Sequence, residues 1–238
     1  MNNTLRNGLR LLEHLAGTTE SFAISALAGH LHLPKSHVHR LLQGLVEDGW
    51  VFQDESRRYR IGLKPLELSS ALLARLPLRQ VALPIMRQLA DATGYDAVLA
   101  QMVDGAVLVI AGEYRMGRTD PTMAIGRRLS LDRSATGRLL AGYLAPDEQA
   151  QLLVRLAPAD PVALQAIWTT SRLEHRALNP PTPGATVVSL AVPVRDREQR
   201  IRGALGLALP PSAWNDDHVA ELTDRLRRAA DAIPTEPS

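Results

Sequence analysis

Residues 24–62 read ISALAGHLHLPKSHVHRLLQGLVEDGWVFQDESRRYRIG, and this stretch decides the fold of the N-terminal part. Ser25 is placed to cap a helix whose buried side is Leu27, Ala28 and Leu31. Leu33-Pro34 breaks that helix, because the residue before a proline is pushed out of helical backbone. A further helix starts near Lys35 and turns Val38, Leu41, Leu42, Leu45 and Val46 inward. Gly49 ends it with a left-handed cap. Two short strands follow, around Trp50-Val51-Phe52 and Arg57 to Ile61, joined by the polar turn of residues 53–56. Two helices on a short turn and then a basic hairpin make a winged helix-turn-helix. Upstream, Leu9, Leu12 and Leu15-Ala16 recur at helical spacing until Gly17.

That arrangement suits DNA. With the apolar stripe buried, Lys35, Ser36, His37, His39, Arg40 and Gln43 stay outside, where short donors reach phosphates or base edges in a major groove. Arg57, Arg58 and Tyr59 lie at the hairpin, where arginines reach phosphates or the adjacent minor groove. A small helical domain with a solvated charged face is the plainer reading of the same pattern. The whole-chain charge of +2 argues weakly for nucleic acid until it is divided by position. Residues 1–64 hold eight basic and six acidic side chains, and the remaining 19 and 19 balance. The entire excess therefore lies in the first 64 residues, as do both lysines.

Composition bounds the rest. The 238 residues suffice for one large or two modest domains. Absence of cysteine excludes a disulfide scaffold, a thiol nucleophile, an iron–sulfur cluster and cysteine-bound zinc, and fits a cytoplasmic location. No run nears the ~20 apolar residues that span a bilayer, so no membrane partner is expected. The polar, Glu-containing N-terminus does not read as a signal peptide. His30/His32 and His37/His39 are spaced i, i+2, which does not place two ligands on one helix face, so no metal is expected. No phosphate-cradling Gly-Lys-Ser/Thr run and no cofactor motif are present.

Downstream, helices are expected at 64–75 (a connecting helix ended by Pro77), 78–93, 134–144, 146–156, 162–178 and from about Asn215, which caps the last one. Strands are expected at 96–102 and 106–114, joined by Asp104-Gly105, and at 123–131, 186–194 and 201–209. Hairpin strands without strand–helix–strand alternation make this part α+β. The division is 1–63 for the winged helix-turn-helix, 64–77 for the linker helix and 78–238 for the C-terminal domain.

Ile24-Ser25-Ala26-Leu27-Ala28, Leu33 to Leu42, Gly49-Trp50-Val51 and Tyr59-Arg60-Ile61-Gly62 resemble the isocitrate-lyase-regulator (IclR) family of bacterial transcriptional regulators. Ser134-Ala135-Thr136-Gly137-Arg138-Leu139-Leu140-Ala141 looks like that family's Ala-x-Gly-Lys-x-Leu-Leu-Ala segment. Ser189-Leu190-Ala191-Val192-Pro193-Val194 looks like its Ile-Ala-Ala-Pro-Val strand. The resemblance implies a C-terminal GAF-like domain that takes a small-molecule effector. It also implies a homodimer or homotetramer on palindromic double-stranded operator DNA. The chain departs from the pattern in three ways: Arg138 stands for the usual lysine, the loop before residue 186 is proline-rich and lacks acids, and the chain is slightly short.

The strand at 201–209 puts Ala204, Gly206 and Ala208 on one face, where either a packed helix or a ligand can come close. The resemblance places Ser189, Gly206, Ala208 and Asn179 at the effector pocket, with Leu129, Leu131, Ala135 and Thr136 completing its wall. Family members commonly carry small polar side chains where Gly206 and Ala208 stand. The effector expected here is therefore more apolar than a small dicarboxylate or keto acid. Two other functions stay open: a DNA-binding protein whose C-terminal part only oligomerises, and a hydrolase using Ser134, Ser189, His175 and Asp132. No nucleophile-elbow pattern surrounds either serine.

Overall fold

The computed structural model describes residues 3–115 and 124–235. The chain divides into two compact units, residues 1–75 and 76–238.

Unit 1 contains α1 (Asn3–Ala16), α2 (Ile24–Leu31), α3 (Lys35–Glu47), β1 (Val51–Gln53), β2 (Tyr59–Ile61) and α4 (Lys64–Leu73). Its core is Leu11 and Leu15 from α1, Leu27 and Leu31 from α2, and Val38 and Leu42 from α3, closed by Val51 and Tyr59. The expected cap is corrected. Phe22 bridges Tyr59, and the chain enters α2 two residues early, with Ala23 at the cap position and no side-chain bond there. Ser25 is left exposed in the first turn. Left-handed His32 (φ 53°) ends α2, and Pro34 then opens α3. β1 and β2 pair antiparallel, with Phe52 opposite Arg60 and Gln53 opposite Tyr59. Gly62 permits a close crossing, since a Cβ there would collide with the Gly49 carbonyl and the Trp50 backbone.

Unit 2 is built on a six-stranded antiparallel sheet in the order β5-β4-β3-β8-β7-β6. The strands are β3 (Asp96–Val103), β4 (Ala106–Glu113), β5 (Arg128–Leu129), β6 (Ala177–Asn179), β7 (Val188–Arg195) and β8 (Ile201–Leu209). Leu205, Leu207 and Leu209 face α5 (Pro77–Thr93) and α9 (Asp216–Asp231), packing on Met86, Leu89, Leu222 and Leu226. The other face meets α6 (Ala135–Gly142) and α8 (Pro161–Leu173), where Leu139, Leu140 and Trp168 cover Ala100, Ala191 and Ala204. α7 (Pro146–Leu156) joins that layer through Leu152. Asn215 caps α9, accepting from His218 N at 2.9 Å, as its position in the sequence predicts.

Four expectations change. The connecting helix stops at Leu73, and Pro77 opens α5, because proline at the first helical position loses no hydrogen bond. The helix expected to Leu178 stops at Leu173, left-handed His175 reverses the chain, and Ala177–Asn179 add an edge strand to β7. Asn179 is thus in a strand and not in the proline-rich loop. The strand expected at 123–131 shrinks to two residues, because Arg127 N bonds Ala124 O in a turn through left-handed Gly126; Met123 lies outside the described residues.

Candidate functional site

α3 positions the candidate DNA-reading side chains. Val38 and Leu42 are buried in the core, which turns Ser36, His39, Arg40, Gln43 and Glu47 outward as one exposed stripe. Lys35 and Ser36 sit in the first turn, exposed. Pro34 supplies no side-chain cap there, and the His37 N–H already donates to the Pro34 carbonyl at 3.0 Å, which leaves the Lys35 and Ser36 amides to face an anion. His37 behaves differently. Its Nδ1 lies 3.3 Å from an Arg40 nitrogen, and its Nε2 lies 3.4 Å from the Asn7 side-chain amide on α1. Both neighbouring nitrogens donate and a neutral imidazole has a single acceptor nitrogen, so His37 accepts from Arg40 or from Asn7 Nδ2, one at a time. His37 therefore stands between α1 and Arg40, within reach of each.

Beside this stripe runs a groove of about 490 Å³ between α3 and the hairpin. His39, Gln43 and Glu47 line one side and Gln53 and Arg57 the other, over a floor of Leu42, Val46 and Tyr59. Two hairpin residues depart from expectation. Tyr59 is only 7% exposed and its hydroxyl accepts from Gln53, because it shares the inward face with Ile61. Arg58 is turned back onto Ser21, its Nε donating to the Ser21 carbonyl (3.1 Å) and hydroxyl (3.0 Å). Both side chains are engaged within unit 1, while Arg57 stays exposed at the left-handed tip.

In unit 2 the expected effector residues fall into two groups. Asn179, Ser189, Ala208 and Asp96 form one row across β6, β7, β8 and β3 by direct register. Next to it lies the row Ala177, Ala191, Gly206 and Val98. The start of α6 sits over both: Ala135 N donates to Ser189 Oγ at 3.3 Å, and Thr136 reaches Gly206. Of the two readings of that small-residue face, a packed helix is what occupies Gly206. Leu129 and Leu131 lie elsewhere under α6, in the cluster with Ala135, Leu139 and Trp168, whose Nε1 donates to Leu131 O at 3.1 Å. Ser134 caps α6 by accepting from Gly137 N, and Arg138 ties the helix down through the carbonyls of Asp132 and Leu178. Burial lowers the Arg138 pKa, which the Asp132 charge partly offsets. Neither Ser134 nor Ser189 hydrogen-bonds to His175, whose Nδ1 faces the Tyr143 hydroxyl and Arg195.

Comparison with known proteins follows the same division. The IclR helix-turn-helix family model matches residues 4–55, and that of the bacterial transcriptional regulator IclR C-terminal domain matches residues 70–235. The chain belongs to the IclR family of bacterial transcriptional regulators.

Among curated IclR relatives, the glycerol operon regulatory protein of Streptomyces griseus is 27% identical, over 97% of this chain and 94% of its own. The transcriptional repressor IclR of Escherichia coli is 26% identical over 97% and 88%. Among solved structures, an IclR homologue from Microbacterium hydrocarbonoxydans complexed with 4-hydroxybenzoate superposes with a TM-score of 0.80, at 24% identity and 97% coverage of both chains. Among the described residues, no helix is long and apolar enough to cross a membrane.

The IclR fold also gathers residues that the sequence reading passed over. Asp96 is fully buried at the end of the Asn179–Ser189–Ala208 row, its Oδ1 accepting from Arg115 N at 2.6 Å. Its register partner Ala208 is buried with Val98, and Tyr114 and Val187 pack against that pair. Burial raises the Tyr114 pKa, with the Asp96 and Glu113 charges adding to the effect. An acid inside an apolar strand was the available signal, and only the register with Ala208 and Ser189 gives it a place.

Proposed function

We propose that this IclR regulator reads operator DNA with the exposed stripe of α3 and the wing. The observation that carries this is the groove bringing His39 and Gln43 beside Arg57. Gln43 is suited to pair bidentately with adenine, and Lys35, Ser36 and Arg40 to hold phosphates. His37 acts through Arg40. A homodimer or homotetramer in the cytoplasm is the working form. α4 buries none of its residues within the chain, and Leu63, Leu66, Leu68 and Leu72 are exposed, as are Leu5 and Leu9 of α1. A second copy covering these leucines would present two α3 helices to a palindrome, whose half-sites repeat about every 34–36 Å.

The effector site lies at the Asn179–Ser189–Ala208 row, beside Ala135 and Thr136, with Leu129, Leu131 and Gly206 supporting α6 behind it. Asp96 adds a buried carboxyl group to that row. An aromatic or aliphatic compound with at most one anionic group fits it better than a dicarboxylate or keto acid, and the 4-hydroxybenzoate held by the related structure is of that class. Thr136 seated on Gly206 favours a second reading, in which unit 2 only oligomerises. A thermal-shift screen separates the two. Selective stabilisation by aromatic or aliphatic ligands supports the sensor, stabilisation by keto acids alone sinks the proposed class, and no response supports the oligomerisation-only reading. For the DNA site, Arg40→Ala weakens binding to every duplex and Gln43→Ala erases preference for the operator; a Gln43→Ala protein of unchanged preference refutes that role.

A further inference from the structure

The wing carries a cation that the sequence pattern does not single out. Val51, Tyr59 and Ile61 take the inward face of the hairpin, so Phe52 and Arg60, register partners, take the outer one. The Arg60 guanidinium lies 4.6 Å from the centre of the Phe52 ring, and Phe52 is 47% exposed. Among the described residues no carboxylate forms an ion pair with Arg60.

The tip is different. Asp54 and Glu55 offset Arg57 and Arg58 there. Asp54 Oδ1 accepts from the Arg58 backbone N–H at 2.9 Å, and the Arg58 guanidinium is committed to Ser21. The turn thus offers a phosphate no net positive charge. The outer strand face offers one cation, held extended by a ring. A cation–π contact fixes the guanidinium through its face and consumes none of its N–H donors. The donors stay free for phosphate oxygens, with part of the ordering cost met before binding.

We propose that Arg60, positioned by Phe52, is the wing's main phosphate contact on double-stranded DNA, in place of Arg58. This rests on the DNA-binding reading above. Arg60 adds one charge to the counterion release of the complex, and Phe52 acts only through it.

The test uses full-length protein and two labelled duplexes, one from the region upstream of its own gene and one scrambled, titrated by anisotropy between about 50 and about 200 mM salt. Arg60→Ala and Arg60→Gln should each lower the slope of log K against log salt by about 0.9 per bound protomer, so that affinity falls roughly 3.5-fold less across that range for each protomer. Arg60→Lys should keep the slope. Phe52→Leu, which keeps the charge and the apolar bulk, should keep the slope but bind about two- to fivefold more weakly at every salt, and Phe52→Tyr should restore affinity. Melting temperatures identify any variant that fails to fold, and the glutamine and leucine variants preserve side-chain bulk for that reason. A wild-type slope in Arg60→Gln, or wild-type affinity in Phe52→Leu, overturns the proposal. Wild-type protein that binds neither duplex overturns instead the DNA-binding reading beneath it.

Discussion

Replacing Gly206 by alanine probes how firmly the first turn of α6 is seated on the sheet. A Cβ at that position would lie 2.9 Å from Thr136 Cγ2, 3.2 Å from the Leu190 carbonyl oxygen and 3.5 Å from Val98 Cγ2. Thr136 is only 4% exposed, so its methyl cannot swing into water. Overpacking a filled site costs about 1–3 kcal/mol. Reduced freedom of the unfolded chain returns about 0.4–1 kcal/mol. A net loss of about 1–2 kcal/mol is expected. Thr136→Ser removes the offending methyl and alone costs about 1 kcal/mol for the buried group lost. In the double variant the added methyl occupies the vacated space, so the combined loss falls short of the sum by about 1 kcal/mol. The assay is urea unfolding of the full chain with Trp50 and Trp214 changed to phenylalanine, leaving buried Trp168 in the α6 layer as the reporter. Strictly additive losses, or a Gly206→Ala protein as stable as its parent, would refute the seating and leave that face open to a ligand.

Three further outcomes follow from the geometry. The His14 ring stacks on His30 at 3.7 Å and lies 5.0 Å from Phe22. Burial first, and the His30 charge second, lower its pKa below the ordinary 6.5. The unfolded chain therefore takes up the proton first as pH falls: this contribution to stability is complete above about pH 6.5 and declines below it. His14→Phe should flatten the melting temperature of unit 1 between about pH 7.5 and pH 5, and an unaltered pH profile would disprove the assignment. Gly62→Ala forces a Cβ into the Gly49 carbonyl and should cost several kcal/mol, on the order of the largest single-site losses; circular dichroism showing an intact, equally stable unit 1 would contradict this. Asn215→Ala removes the α9 cap and should cost about 1 kcal/mol, recovered largely by Asn215→Asp, in chemical denaturation of unit 2.

What was legible in the sequence had a short-range cause. β8 was read over its full span because both its faces are buried and its leucines alternate with small residues. The Asp104-Gly105 hairpin and the Asn215 cap depend on residues at most a turn apart. The failures depend on distant partners. Residues 174–178 continue a helical pattern, but β7 offers edge hydrogen bonds to Ala177–Asn179 and wins. Ser25 gives up the cap position to Ala23, and the Arg58 guanidinium turns to Ser21, 37 residues away. Tyr59 was within reach of sequence reasoning: it stands two residues before Ile61 in a strand and so shares its inward face. The proposed effector face rests on Ser189, Gly206 and Ala208. Asp96 was missed because its place depends on register across four strands.

The central claim, that unit 1 reads DNA under the control of a ligand on unit 2, is tested most directly by one anisotropy titration. Full-length protein is titrated against the DNA upstream of its own gene, and against a scrambled duplex, with and without 4-hydroxybenzoate and related aromatic or aliphatic compounds. The account predicts tighter binding to the upstream duplex and a change of at least about fivefold in that affinity with one of these compounds, the lower end of ordinary allosteric coupling. Equal affinity for both duplexes, unmoved by any of the compounds, would contradict it.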